Sequence, residues 1–272
     1  MIYEGCTAAL ATQHGKEQAI APPLAAATGL SIRVPSGIDT DALGTFTGEV
    51  QRTGSVHDTL RMKARLGMRA TGLPLGIASE GSFGPHPFMP FLAMGRESMI
   101  FIDDARGIEV IEEAFSENTN FAALDIVPGA DVEGFLARIG FPSHAVVLRD
   151  GDRIAKGIAS SADLDGLLKS TGTKARLETD MRAHLNPTRM AEIGKLAAKL
   201  ASRIATPCPA CGAPGYGTLR SETGLPCEAC GMPTALVKNL VAGCALCRNE
   251  NHTPRPDGRS TASPAECPEC NP

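Results

Sequence analysis

Four copies of one short pattern, Cys-x-x-Cys, constrain this chain more than anything else in it. They read CPAC, CEAC, CALC and CPEC, placing Cys208/Cys211, Cys227/Cys230, Cys244/Cys247 and Cys267/Cys270 after residue 207, with Cys6 alone outside them. The tight turn of a C-x-x-C pair aims two sulfurs at one point, which is half of a tetrahedron. Four halves make two four-thiolate sites, the donor set of two structural zinc ions. The pattern could also mean disulfides, but a cytoplasmic protein would keep them reduced. A redox motif needs a single pair in a strand–helix setting, and these lack that setting. Few large apolar side chains accompany the cysteines, so metal binding has to supply the folding energy that a core would otherwise provide.

Which pairs share an ion is open at this level. Sequential pairing, first with second and third with fourth, resembles two zinc ribbons. Nested pairing resembles the cysteine-rich region of DnaJ-type chaperones, and CGAPGYG has a similar glycine content. The sequential arrangement is the one expected. From residue 207 onward, Arg220, Lys238, Arg248, Arg255 and Arg259 face six acidic residues, a net charge of −1. That balance does not attract a polyanion, so this segment reads as a stabilising or protein-docking module, with an RNA partner as the alternative.

The rest of the chain is long enough for a domain of its own. An overall net charge of −4 gives no global field toward nucleic acid. No apolar run reaches bilayer-spanning length, and the N-terminus lacks the basic region of a signal peptide, so a cytoplasmic protein is expected. Strand-like runs (CTAALAT, LSIRV, LPLGIAS, SMIFID, KARLE) alternate with helical ones, and HAVVLRDGDRIAKGI reads as a hairpin turning at Asp-Gly. KEQAIAPPLAAATG is a helix started or interrupted by Pro22-Pro23. Ser55 to Asp58 forms a capping box opening a helix to about Ala70. Asn186-Pro187 starts another, with Met190, Ile193, Leu196, Leu200 and Ile204 on one face. The fold class is therefore α/β: a mixed central sheet with flanking helices and a ligand cleft over residues 1–205, followed by a small zinc-ribbon-like domain over 206–272.

Four stretches in the first part are more polar than packing requires. ATQHGKE follows the first strand and gathers Thr12, His14 and Lys16 at a helix start, a natural anion site, although strand–loop–lysine is common by chance. GTFTGEVQRTGS holds Glu49 and Arg52, which also suit an ordinary solvated loop. The helix RMKARLGMRA offers Lys63 as an inward phosphate ligand or as one more surface cation. In SEGSFG, a buried strand runs out into glycine at Glu80, where Gly81 and Ser82 permit close approach. A carboxylate there can hold Mg²⁺ beside a phosphate or can simply cap a turn.

Taken in order, strand–ATQHGKE–helix, GTFTGEVQRTGS, Lys63-Ala64 and TGLPLGIASEGSFG resemble the inosine/xanthosine triphosphate pyrophosphatase superfamily over residues 7–103. The resemblance implies an elongated α/β fold with a cleft and Mg²⁺-dependent hydrolysis of a nucleoside triphosphate to monophosphate and pyrophosphate. By position it implies phosphate contacts from Thr12, Lys16 and Lys63, and metal contacts from Glu49 and Glu80. His14 stands where that superfamily has Asn, and its acidic pair is reduced to Glu80. The whole layout, including the tail RPDGRSTASPAECPECNP, also resembles a bacterial domain family whose reaction is uncharacterised. In ETDMRAHLNPTR, Arg182, His184 and Arg189 can line the cleft from its far side or hold the zinc module by salt bridges. Two functions follow: a metal-dependent phosphohydrolase acting on a nucleotide-like anion, or a non-enzymatic zinc protein docking a protein or RNA partner.

Overall fold

The computed structural model describes residues 1–38, 54–172 and 174–272. Its first lobe is built on a five-stranded sheet. The strands are β1 (Thr7–Leu10), β2 (Ser31–Arg33), β3 (Leu75–Pro85), β4 (Ala93–Asp103) and β5 (Ile108–Ser116), in the order β2-β1-β3-β4-β5. β1 is parallel to both β2 and β3, whereas β3, β4 and β5 run antiparallel. Helix α1 (Glu17–Thr28) packs on one face and α2 (Val56–Thr71) on the other. Side-chain alternation along β3 serves both faces: Leu75 and Ile77 join the core under α1, and Ala78 joins Leu60, Ala64 and Met68 of α2.

Local chemistry explains the helix boundaries. Ser55 and Asp58 form the reciprocal capping box the sequence predicts, and α2 ends at Gly72 with φ of +67°, a left-handed cap that glycine adopts without strain. α1 runs through Pro22 and Pro23, so the prolines neither start nor break it. Buried Ile20, Leu24 and Thr28 lock that helix in place, and tertiary packing overrides the poor local propensity.

One expectation is corrected here. β3 does not end before Glu80. It continues through the glycines to Pro85, paired with β4 from Leu75↔Asp103 to Pro85↔Ala93. β4 supplies hydrogen-bond partners throughout, so glycine does not terminate the strand. The strand that stops is β1, whose last paired residue, Leu10, lies opposite Ile77. Ser79, Glu80 and Gly81 therefore extend past its carboxyl end.

The second lobe has its own antiparallel sheet in the order β6-β9-β7-β8: β6 (Ala123–Ile126), β7 (Val146–Asp150), β8 (Arg153–Ile158) and β9 (Ala175–Thr179). Helices α3 (Val132–Ile139) and α4 (Ser161–Leu168) cover it, burying Phe135, Ile139, Val146, Leu148, Leu164 and Leu177. A 3-10 turn (Ala183–Leu185) then leads into α5 (Pro187–Ala205), which returns to the first lobe and packs beside α1. Asn186 caps α5 by accepting from the Arg189 N–H, and Ile193, Leu196, Leu200 and Ile204 are buried, as their spacing predicts.

Beyond α5, β10 (Gly217–Thr223), β11 (Val237–Gly243) and β12 (Glu250–Pro254) form a three-stranded antiparallel sheet. Cys208, Ala213 and Cys244 belong to the same apolar cluster as Ile108, Val110 and Ile204, so packing continues across residue 206. Among the described residues no helix is long and apolar enough to cross a membrane.

Candidate functional site

The loop after β1 and the extension of β3 bring charged side chains together at one place. Lys16, at the start of α1, is buried, and its Nζ donates to Ser79 Oγ at 3.1 Å and to the Ser79 carbonyl at 3.4 Å. Lys63 reaches from α2 to form an ion pair with Glu80 on the opposite face of β3. Gly81 lies across from Glu97 of β4. Arg189, in the first turn of α5, sends Nε to Glu97 Oε1 at 2.6 Å and Nη1 to the Met181 carbonyl. Its guanidinium also stacks 5.1 Å from the Phe83 ring. A Cβ on Gly81 would collide with that guanidinium, so glycine is what lets Arg189 reach the strand.

All five charged residues are nine-tenths or more buried. Among the described residues three cations (Lys16, Lys63, Arg189) stand against two carboxylates (Glu80, Glu97), a surplus of one positive charge. Burial, and next the Arg189 guanidinium, push the Lys16 amine down to about 8. A buried surplus of this kind is stabilised by an anion, because an incoming negative charge offsets the desolvation that the ammonium suffers.

The segment between β9 and α5 lies against the loop after β1. His184 stacks on His14 with ring centroids 5.1 Å apart and planes 17° from parallel. Burial first, and then Arg182, hold the His184 imidazole below its ordinary value. Arg182 grips Asp180 through Nη2 at 2.7 Å, and Asp180 also accepts from the Gly157 N–H. Asn186 donates to Asn120 Oδ1 and to the Asp180 carbonyl, joining the two lobes behind Arg189.

Of the residues the sequence singles out, the structure brings Lys16, Lys63, Glu80, Gly81 and Arg189 into one cluster, with Thr12 and His14 on the adjoining loop. Thr12 Oγ1 accepts from the His14 N–H. Ser82 is exposed opposite Arg96. Arg182 is paired with Asp180. Glu49 and Arg52 lie outside the described residues. Nothing in the local sequence marks Ser79 or Glu97, whereas Asp180 belongs to the polar cluster ETDMRAHLNPTR. Glu97 was legible only through its pairing with Gly81, a strand away.

The described residues do not make a resident Mg²⁺ site. Glu80 is committed to Lys63 and Glu97 to Arg189, and no third carboxylate joins them among the described residues. Metal-ligand clusters appear elsewhere, as two sets of four sulfurs: Cys208, Cys211, Cys244 and Cys247, and Cys227, Cys230, Cys267 and Cys270. Sulfur–sulfur distances of 3.7 Å (Cys208–Cys247), 3.7 Å (Cys211–Cys244), 3.9 Å (Cys227–Cys270) and 3.6 Å (Cys230–Cys267) recur in both. They match the roughly 3.8 Å edge of a tetrahedron with Zn–S bonds near 2.3 Å. They are far longer than a disulfide bond of about 2 Å. The donor set and geometry fit two structural zinc ions.

The pairing corrects the sequential expectation, and it is not nested either. The first pair joins the third, and the second joins the fourth. Strand direction is the reason. β10 and β11 are antiparallel with Gly217 opposite Gly243, so the pair before β10 meets the pair after β11. The second pair lies at the other end of that hairpin, to which β12 leads the chain back, with Pro254 opposite Asn239.

No curated protein and no solved structure matches the chain. The family model described as DUF6671, a domain of unknown function, matches residues 63–272; that is more than half of the chain, and the protein belongs to this family.

Proposed function

We propose that the cleft beside the end of β1 binds the phosphates of a nucleotide-like anion and hydrolyses a phosphoanhydride bond in it, with residues 1–205 as the working part and residues 206–272 as a zinc-stabilised module. One observation supports this reading: Lys16, Lys63 and Arg189, from segments far apart in sequence, lie close enough to act on one another, with one positive charge in excess among the described residues. Fixed cations in a dry site stabilise the charge that builds on the phosphoryl oxygens in the transition state. Lys63 and Arg189 bind and orient the phosphates, while Glu80 and Glu97 hold those two cations in position. Because Glu80 and Glu97 are occupied by cations, the divalent ion in this reading belongs to the substrate and arrives on its phosphate chain, as Mg²⁺ commonly does.

The test is pyrophosphate release from a panel of nucleoside triphosphates with Mg²⁺. Lys63→Met lowers kcat/KM by about 100-fold, the scale of losing one such stabilising group. Glu80→Gln, which leaves Lys63 without its anchor, lowers it as well. Silence across the panel overturns the reading. One observation favours the second reading, docking of a protein or RNA partner through the zinc module: every residue of β12 is exposed. Nucleotide turnover that survives deletion of that strand's side chains counts against a role for it in the reaction.

A further inference from the structure

Ser79 and Lys16 form a contact that phosphate binding alone does not use. The Ser79 hydroxyl projects from β3 toward α1 and meets Lys16 Nζ at 3.1 Å, with both residues buried. A lysine whose only task is to hold an anion works best fully charged. Burial and a neighbouring guanidinium lower this one to about 8, so it is charged at neutral pH and sheds its proton just above it. A neutral amine within hydrogen-bond reach of a hydroxyl is the arrangement that activates a serine. Gly81 is two residues further along the same strand face, about 7 Å away, and it is the position against which the Arg189 guanidinium rests. A cation therefore stands beside the place where a group on Ser79 Oγ would sit.

We infer that Ser79 is a nucleophile and Lys16 the base that takes its proton, so that the cleft works through a covalent serine adduct of the phosphoryl class. The substrate named for it rests on the phosphate-cleft reading above; the serine–lysine pair itself does not. Ser79 Oγ forms a bond to the α-phosphorus, the bond from that phosphorus to the bridging oxygen breaks, and pyrophosphate leaves with the electron pair. Lys16 Nζ receives the hydroxyl proton. Water then attacks the phosphorus of the adduct and leaves its oxygen with one hydrogen on it, the P–Oγ bond breaks, Lys16 returns its proton to Ser79 Oγ, the water's other proton passes to solvent, and the monophosphate departs.

The pair is tested with a fluorophosphonate, in which the leaving group is fluoride. The full-length zinc-loaded protein acquires one phosphonyl group on the peptide carrying Ser79, read by mass spectrometry, and the labelling rate rises with pH through about 8. Lys16→Arg keeps a positive charge and hydrogen-bond donors but does not release a proton at this pH. It lowers the labelling rate by about 100-fold or more, the range of general-base catalysis, while two zinc ions per chain and an unchanged melting curve show that the fold persists. Labelling of Lys16→Arg at the wild-type rate overturns the proposal, and so does an unlabelled Ser79 in the wild type. Pyrophosphate release that survives Ser79→Ala overturns it too and leaves the phosphate-cleft reading intact. Labelled Ser79 with no turnover across the nucleotide panel supports the pair and removes the nucleotide reading.

Discussion

At the scale of single residues, Lys16 makes the cluster sensitive to pH. Its amine is held at about 8, against an ordinary value of 10.5, by burial and then by Arg189. If the site binds phosphate as proposed, the anion favours the charged form and raises that value, so binding between pH 8 and 9 takes up a fraction of a proton. Calorimetry of phosphate binding in buffers of different ionisation enthalpy measures the uptake, and Lys16→Met abolishes it. The same linkage acts on folding. The native amine binds fewer protons than the unfolded one between pH 8 and 10.5, so this residue's contribution to stability rises with pH across that window. Denaturant midpoints at pH 7.5 and 10 therefore differ less in Lys16→Met than in the wild type. Ser79 and Glu97 escaped the sequence reading because their partners, Lys16 and Arg189, are 63 and 92 positions away. No local pattern encodes such a pairing.

At the scale of elements, β3 carries the site because its alternation serves two faces at once. Ser79 and Gly81 face α1 and α5, whereas Glu80 faces α2. Gly81→Ala forces a methyl group into the Arg189 guanidinium. The expected cost is about 1–3 kcal/mol of stability, the usual penalty of overpacking, and, under the proposed function, loss of phosphate binding. Gly84→Ala, in the same strand but with open space where its Cβ would go, is the matched control and stays within about 0.5 kcal/mol of wild type. Thermal or denaturant unfolding of the two variants separates them. α2, α5 and the β7–β8 hairpin were legible because their signals are local: a capping box, Asn-Pro with apolar spacing, and Asp-Gly at the turn. β5 was not legible. Its Glu109, Glu112 and Glu113 look like a solvated run until Arg61, Arg203, Lys199 and Arg96 are seen to neutralise them. β10 and β12 have few buried residues to mark them, so only the cysteines announced that region.

At the scale of the whole molecule, the order in which the cysteine pairs combine determines what each ion does. The first set of four includes Cys208 and Cys244, packed in the first-lobe core with Ile108 and Val110, while the second set stands at the other end of the hairpin. Metal analysis of the purified chain gives two zinc ions, and Cys267→Ser removes one without changing the melting of the first lobe. Cys244→Ser removes the other and lowers that melting temperature, which differential scanning calorimetry resolves. α5 spans 19 residues, about 28 Å at 1.5 Å per residue. Arg189 occupies its first turn, and Cys208 follows its last by three positions. The near ion is thus a remote fastener for a guanidinium it never touches. Strip it selectively, and the far end of the rod loosens its hold on Glu97, whereas emptying the outer ion leaves that grip unchanged.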